Sequence, residues 1–140
     1  MSTNYTKPLP LGDYDSQEFW AGAKRHELLA QRCDQCKRFR HPPQAHCANC
    51  GSKEFAWTKM SGKGKVYTYV LITHTVLPQF AEDVPYNVTQ VALDEQVDVI
   101  LTTNLLDVRN EDIHAGMPVE VVFDDVTEEH TLPKFRPVSG

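Results

Sequence analysis

A chain of 140 residues with 41% hydrophobic and 24% charged residues has the composition of a globular protein with one ordinary domain or two very small ones. It lacks the apolar run of a signal peptide and any stretch of the roughly eighteen apolar residues that cross a bilayer, so we expect a cytoplasmic protein without membrane contact. The net charge of −5 divides unevenly, with +7 on residues 20–65 and −10 on residues 66–140. We expect the two halves to have different partners.

The first predicted elements are an arm and a helix. Residues 1–14 contain two prolines and a glycine among polar residues, which is typical of an extended arm without fixed structure of its own. Asp15 is placed to cap the free N–H groups of a first helical turn, and Glu18 follows three residues later as in a capping box. No proline interrupts residues 16–32, and we predict a helix over this segment.

One face of this helix is predicted to be apolar, with a stripe formed by Phe19, Trp20, Ala23, Leu28 and Leu29. Most such stripes pack on the core of their own protein. The alternative is that Phe19 and Trp20 anchor a partner protein, because a helix outside a small domain has little core to cover and large aromatic side chains dominate interfaces. The sequence leaves both interpretations open.

Two Cys-x-x-Cys pairs follow, Cys33 with Cys36 and Cys47 with Cys50. Ten residues separate the pairs, a spacing at which two short turns close four thiolates around one metal ion. We predict a structural Zn²⁺ site, because four sulfur ligands fill a tetrahedron and leave no position for a substrate. All cysteines of the chain lie in this cluster, which favours metal binding in a reducing compartment over a disulfide framework.

Two alternatives to this zinc site are less well supported, and the sequence leaves a third, iron in place of zinc, open. His41 and His46 lie between the pairs and have the chemistry of ligands, but the second pair is complete without them. A redox-active Cys-x-x-Cys is expected beside a strand–helix–strand pattern, which this sequence lacks. Iron in place of zinc is chemically allowed in a site of four thiolates.

From Ser61 onward the pattern changes to strands. Five are predicted, at residues 65–73, 86–94, 97–106, 118–126 and 131–138. On the third strand, Val97, Val99 and Leu101 share one face. A single turn or short helix is predicted at residues 110–116, between the third and fourth strands. This order of elements is that of an oligonucleotide/oligosaccharide-binding (OB) barrel.

The predicted fold is therefore mainly β, with three parts. An N-terminal arm and helix occupy residues 1–31, a rubredoxin-like zinc ribbon residues 32–60, and a five-stranded OB-fold barrel with a C-terminal tail residues 61–140. A ribbon of about thirty residues buries too little apolar surface to fold unaided, so its stability is expected to come from the metal.

Neither nucleic-acid binding nor catalysis by this chain alone is well supported. Barrels of this type bind single strands through aromatic and basic side chains on the second and third strands. Here these strands have no Lys or Arg, and Asp94, Asp98 and Asp107 lie in or beside them. The sequence also lacks a nucleophile elbow, a glycine-rich phosphate loop and a His-x-x-x-His pair. These features indicate a module that assists another protein.

Several motifs together resemble one known family, the small zinc-ribbon plus OB-fold proteins called domain of unknown function 35, which are associated with acyl-CoA metabolism. The motifs cover nearly the whole chain: FW at 19–20, LxxQRCxxC at 28–36, PP at 42–43, CxxCGS at 47–52, SGKGKVYTY at 61–69, GMPVEVVF at 116–123 and LPKFRP at 132–137.

This resemblance implies an accessory subunit without catalytic residues of its own. Relatives pair with thiolase-fold proteins, so the expected partners are thiolase-like subunits in a hetero-oligomer that performs acyl transfer, thiolase or synthase chemistry, or steroid side-chain aldol cleavage. A CoA thioester would then be bound jointly with the partner. The expected partner contacts are Phe19, Trp20, Lys134, Phe135 and Arg136. The alternative is a stand-alone module that binds nucleic acid or free acyl-CoA.

Overall fold

The computed structural model describes residues 5–138, so residues 1–4 of the predicted arm and residues 139–140 of the tail lie outside the described residues. Over these described residues, one helix and eight strands follow each other, with two single-turn 3-10 helices at Pro78–Phe80 and Asn110–Asp112. The bounds are α1 Gln17–Lys24, β1 Leu29–Cys33, β2 Phe39–Arg40, β3 Phe55–Lys59, β4 Lys63–Ile72, β5 Tyr86–Leu93, β6 Ile100–Thr103, β7 Pro118–Asp125 and β8 Thr131–Pro137. Within residues 5–138, no helix has the length and apolarity needed to span a bilayer.

Helix α1 begins differently from the prediction. The backbone N–H of Ser16 donates to Asp13 Oδ1 at 2.9 Å, and the N–H of Asp13 donates to Ser16 Oγ at 2.9 Å. This reciprocal pair turns the chain into the helix, and Ser16 is the N-cap residue. The predicted cap by Asp15 is therefore wrong, because the carboxylate two positions earlier receives the N–H at the helix start.

Helix α1 also ends at Lys24, well before the predicted end at residue 32. His26 takes a left-handed conformation with φ of 63°, and the N–H of Glu27 donates to the Gly22 carbonyl at 2.8 Å, which closes the end of the helix. Strand β1 then runs back along the helix. A Cβ on Gly22 would lie 2.6 Å from Leu29 Cδ1, so the close approach of strand and helix depends on this glycine.

The strands form two sheets. Strands β2, β1 and β3 make a small antiparallel sheet in that order, and the other five make a sheet in the order β6-β5-β4-β7-β8. The larger sheet curls until its ends meet through a parallel bridge between Leu105 and Phe135, where the Leu106 N–H donates to the Phe135 carbonyl at 2.8 Å. This closure and strand order confirm the predicted OB fold.

The predicted face of the third barrel strand is only partly correct. Val99 and Leu101 are buried, but Val97 is 77% exposed and precedes the strand, which begins at Ile100. The prediction fails at Val97 because residues 94–98 form a turn whose polar side chains bind the ribbon. Gln96 makes two hydrogen bonds with the backbone of Phe39: its Nε2 donates to the carbonyl at 2.8 Å, and its Oε1 accepts from the N–H at 2.9 Å.

The basic and acidic halves contact each other directly. Arg38 Nη2 lies 2.5 Å from Asp98 Oδ2, and His26 Nε2 lies 3.0 Å from Asp125 Oδ1. Part of the charge difference between the two halves therefore stabilises contacts between them within the molecule. It does not serve separate partners alone.

A single hydrophobic core joins the two sheets. Its buried residues include Phe19 of α1, Leu28 and Ala30 next to and within β1, and Met60 after β3, together with residues of the barrel. Phe19 is 7% exposed, so the interpretation in which the helix packs on its own core holds for this side chain. The division of the chain into three domains remains a prediction.

Candidate metal centre and the neighbouring groove

The two Cys-x-x-Cys pairs form turns with matching hydrogen bonds. In the first turn, the Cys33 N–H donates to the Arg38 carbonyl at 2.9 Å and the Lys37 N–H donates to the Cys33 carbonyl at 3.0 Å. In the second, the equivalent bonds join Cys47 with Ser52 and Gly51 with Cys47, at 2.9 and 2.8 Å. The residue after each pair has positive φ, 66° at Lys37 and 80° at Gly51.

These two turns bring the four cysteine sulfurs together. The Sγ atoms of Cys33 and Cys50 are 3.6 Å apart, those of Cys36 and Cys47 are 3.5 Å apart, and all four lie within 4.8 Å of one another. A tetrahedron of sulfurs around a Zn–S bond of about 2.3 Å has edges of about 3.8 Å. The observed spacing fits one tetrahedrally coordinated ion, and thiolate is a donor that zinc prefers.

The acid–base properties of the cysteines also favour a cation. A hydrogen bond from the Asn49 side chain, helped by the Arg38 N–H, lowers the pKa of Cys36 to about 6. At Cys50 the Ser52 N–H lowers the pKa, but the neighbouring thiols and desolvation outweigh it and raise the pKa to about 11. Four thiols at this distance do not all ionise unless a positive charge lies between them.

Neither loop histidine lies in the sulfur cluster. Among the described residues, the group able to hold a metal ion at this site consists of the four cysteines alone. The His41 ring instead packs against Phe19, with ring centres 5.2 Å apart, and burial lowers the pKa of His41 to about 4. His46 is exposed on the connecting loop.

A groove lies beside the ribbon, between α1, the His41–Pro43 loop and the barrel. Its volume is about 480 Å³ and most of its lining is apolar. The side chains come from α1 (Phe19, Trp20), the loop (His41, Pro42, Pro43), β6 and the following residue (Ile100, Leu101, Thr102, Thr103, Asn104) and β8 (Leu132, Pro133, Lys134), with Ser16 at the helix start. Sequence reasoning did not find this groove, although the consecutive prolines were a local sign of a rigid wall.

The groove brings together three of the five predicted contact residues, Phe19, Trp20 and Lys134. Trp20 lines it and meets Phe19 edge to face at 5.0 Å, and Lys134 lies on its opposite side with Nζ 2.6 Å from Asp124 Oδ2. The other members of the predicted tail are part of strand β8. Phe135 is fully buried in the barrel core, whereas Arg136 points outward to Glu120 at 3.0 Å.

Comparison with known proteins reveals the same two-part architecture. Residues 20–56 match the family model described as "ChsH2, rubredoxin-like zinc ribbon domain", and residues 57–124 match "ChsH2, C-terminal OB-fold domain". Together the two matches cover most of the chain and divide it close to the end of the ribbon sheet.

Two curated relatives differ in length. A DUF35 domain-containing scaffold protein of Methanocaldococcus jannaschii is 36% identical over 107 residues, which are 76% of this chain and 74% of that protein. A probable enoyl-CoA hydratase alpha subunit of Thermomonospora curvata is 37% identical over 131 residues. This alignment takes in 94% of the present chain but only 40% of the hydratase subunit.

Among solved structures, a chain of the assembly titled "Ltp2-ChsH2(DUF35) aldolase" superposes with a TM-score of 0.83 at 38% sequence identity. The superposition covers 91% of this chain and 98% of that one, so the ribbon, helix and barrel are shared in their mutual arrangement.

Proposed function

Because the chain belongs to the DUF35 family of zinc-ribbon and OB-fold proteins, we propose that it is an accessory subunit that binds and stabilises a thiolase-like acyl-CoA enzyme. The observation that carries this proposal is the superposition over nearly the full length of both chains on a component of a solved aldolase assembly. The names of the curated relatives, a scaffold protein and an enzyme subunit, support the same role.

Within this role, the four cysteines are proposed to hold a structural Zn²⁺. The sulfur positions fit a closed tetrahedron, so the ion would contribute folding free energy and no open coordination position. Its effect on the partner would be indirect. The Cys47 end of the ribbon is connected to the His41–Pro43 loop, and that loop forms one wall of the groove.

The groove side of the molecule is the proposed partner contact. Trp20 is partly exposed there, and partly buried tryptophans are frequent anchors of interfaces. Lys134 and Arg136 pair with Asp124 and Glu120 in the free chain, and in the complex they would also meet acidic groups of the partner or of a CoA thioester bound jointly with it. Phe19 and Phe135 would contribute by holding these neighbours in place, because both rings are buried.

Co-expression with a thiolase-fold protein from the same source, followed by size-exclusion chromatography with light scattering, tests the proposal. We expect co-elution of the two chains and higher activity or stability of the partner in the complex. Separate elution, together with full activity of the partner alone, would refute it.

A matched pair of tryptophan variants tests the contact surface. Trp20→Ala is expected to weaken the complex. Trp57→Ala is the control and is expected to leave the affinity unchanged, because Trp57 is also partly buried but lies on strand β3 away from the groove. Equal effects of the two substitutions on the affinity would place the contact elsewhere.

A further inference from the structure

The longest uncharged stretch of the chain lies on strand β4 and the loop after it. Residues 66–81 contain no Asp, Glu, Lys or Arg, although 24% of the chain is charged. This stretch also holds five of the nine large hydrophobic residues that are exposed among the described residues: Tyr67, Val70, Leu71, Val76 and Leu77. Exposed apolar side chains concentrated in this way mark an interaction surface more often than scattered ones do.

The backbone of this stretch has a free edge. Strand β4 is paired on both sides only at its start, where Lys63–Lys65 meet β7 and Val66 bonds to Gly116 and Met117. From Thr68 to Ile72 it pairs with β5 alone, beyond a register shift between Val66 and Thr68. No other described residue forms a backbone hydrogen bond to residues 67–72, so alternate N–H and C=O groups along the far edge are open.

Charged residues and prolines are absent along these six residues, and the register shift at Tyr67 is the one irregularity of this edge. Protein sheets commonly guard open edges with lysines, prolines or inward-pointing charges, because a bare edge pairs with other chains. Here the nearest charges on β4 are Lys63 and Lys65, and the first proline, Pro78, comes after the strand has ended. An uncharged, apolar edge is suited to the addition of one more strand.

The charges around the edge indicate the occupant. Exposed Lys63 and Lys65 lie at the start of β4, whereas Asp83, after the loop, already pairs with Lys7 at 2.6 Å. A charged segment placed along residues 67–72 would leave its charges without partners and partly desolvated, whereas an uncharged segment would avoid this cost. An acidic residue of the occupant at the lysine end would complement Lys63 and Lys65.

We infer that residues 67–72 form a docking strand to which an uncharged extended segment of the partner enzyme subunit adds as a neighbouring β-strand. This inference rests on the proposed function for the existence of that partner. It places a second contact outside the groove, whose lining includes no residue of β4. There, main-chain hydrogen bonds would supply affinity, and the exposed Tyr67, Val70 and Leu71 side chains would supply specificity.

A second copy of this chain fits the same edge less well. In a dimer, the β4 strands of two copies would pair antiparallel along residues 67–72. The loop that follows Ile72 in each copy would then lie beside Val66 of the other copy. Val66 is already bonded to Gly116 and Met117.

The experiment compares two lysine substitutions in the complex with the co-expressed thiolase-fold subunit. Val70→Lys places a charge on the docking edge, and Val97→Lys makes the same change at an exposed valine outside it. We expect Val70→Lys to raise the dissociation constant at least about tenfold, and Val97→Lys to change it by less than about twofold. Circular dichroism of both free variants verifies folding.

Amide hydrogen exchange of the labelled small chain gives a second readout. Strand addition is expected to slow exchange at those amides of residues 67–72 that point away from β5, and to leave the amides paired with β5 unchanged.

Each outcome has one meaning. Weak binding of Val70→Lys with new amide protection supports the inference. Wild-type affinity of Val70→Lys, or unprotected edge amides in a formed complex, overturns the inference while the proposed function stands. An isolated chain that is dimeric and becomes monomeric with Val70→Lys overturns it in favour of a second copy. Absence of any complex with the wild-type chain refutes the proposed function itself, and the docking strand with it.

Discussion

The ribbon and the barrel maintain their shapes by different means. Ten of the fourteen buried residues of the main core follow residue 65 and belong to the barrel, whereas the ribbon sheet contributes only Ala30 from its strands. The ribbon interior is instead built from backbone turns and four sulfurs. One chain thus combines a barrel stabilised by apolar burial with a ribbon for which we propose stabilisation by a metal ion, and different perturbations should separate the two.

Removal of a metal ligand should have the largest effect, and it should act first on the ribbon. Cys33→Ser takes one of four ligands from a site whose metal is worth about 10 to 16 kcal/mol in small zinc modules. Both tryptophans of the chain, Trp20 and Trp57, lie in the helix and ribbon. We expect loss of zinc by metal analysis and unfolding of the tryptophan signal at lower denaturant than the tyrosine and circular dichroism signals of the barrel.

The control for this variant is His46→Ser, an exposed loop residue outside the sulfur cluster. Unchanged zinc content in Cys33→Ser would contradict the assignment of the metal ligands.

A cavity in the barrel should have the opposite signature. Leu93 is 1% exposed, so Leu93→Ala is expected to lower the free energy of unfolding by about 2 to 5 kcal/mol, while the folded chain keeps its full zinc content. Denaturant unfolding followed by circular dichroism measures the loss. Leu11→Ala, at an exposed leucine, is the matched control. An equal loss of unfolding free energy in that variant would show that burial of Leu93 does not stabilise the barrel.

A pH effect should arise at the boundary of the two regions. Burial lowers the pKa of His41 to about 4, while an unfolded histidine titrates near 6.5. Between pH 4 and pH 6.5, His41 therefore binds a proton in the unfolded state but not in the folded state. The resulting stability is fully present above pH 6.5 and is lost as the pH falls toward 4.

We expect the wild-type chain to lose about 2 kcal/mol more than His41→Gln between pH 7.5 and pH 5, with metal content checked at each pH. His46→Gln serves as the control at an exposed histidine. A parallel pH dependence of wild type and His41→Gln would show that His41 does not titrate in this way.

The smallest effect is expected at the junction. Gln96→Ala removes two hydrogen bonds to the Phe39 backbone, worth about 1 to 2 kcal/mol together. We expect the tryptophan and barrel transitions to move apart, because this side chain couples the two regions. Gln90→Ala, which loses only a 3.5 Å contact with Thr102, should leave them together. Coincident transitions in Gln96→Ala would assign the coupling to the shared core instead.

Local patterns in the sequence predicted much of this structure. The Cys-x-x-Cys spacing predicted the two metal-site turns, because each turn closes within six residues. The alternation of apolar residues located the barrel strands, and their order along the chain predicted the OB fold. The end of α1 was missed because it depends on His26 in a left-handed conformation, where glycine is the common signal. The partner of this histidine, Asp125, is distant in the sequence.

Other features depended on tertiary contacts that no local pattern encodes. Phe135 is a predicted partner contact as a member of the LPKFRP motif, yet its strand completes the barrel and buries the ring. The groove arises where α1, the His41–Pro43 loop and strands β6 and β8 meet, and these segments are separated by tens of residues. Gln96 pairs with the backbone of Phe39, which lies 57 positions earlier in the chain, so no local pattern indicates this contact.

The core that includes Phe19, Leu28 and Ala30 has a practical consequence for dissecting the molecule. A recombinant fragment that starts at Ser61 would leave behind the side chains that cover part of the barrel interior, so its uncovered leucines and valines would invite precipitation. A fragment that retains the chain from Asp13 would keep that cover. For this architecture, useful cloning boundaries follow the packing of the helix against the barrel and not the change from cysteine-rich to strand-rich sequence.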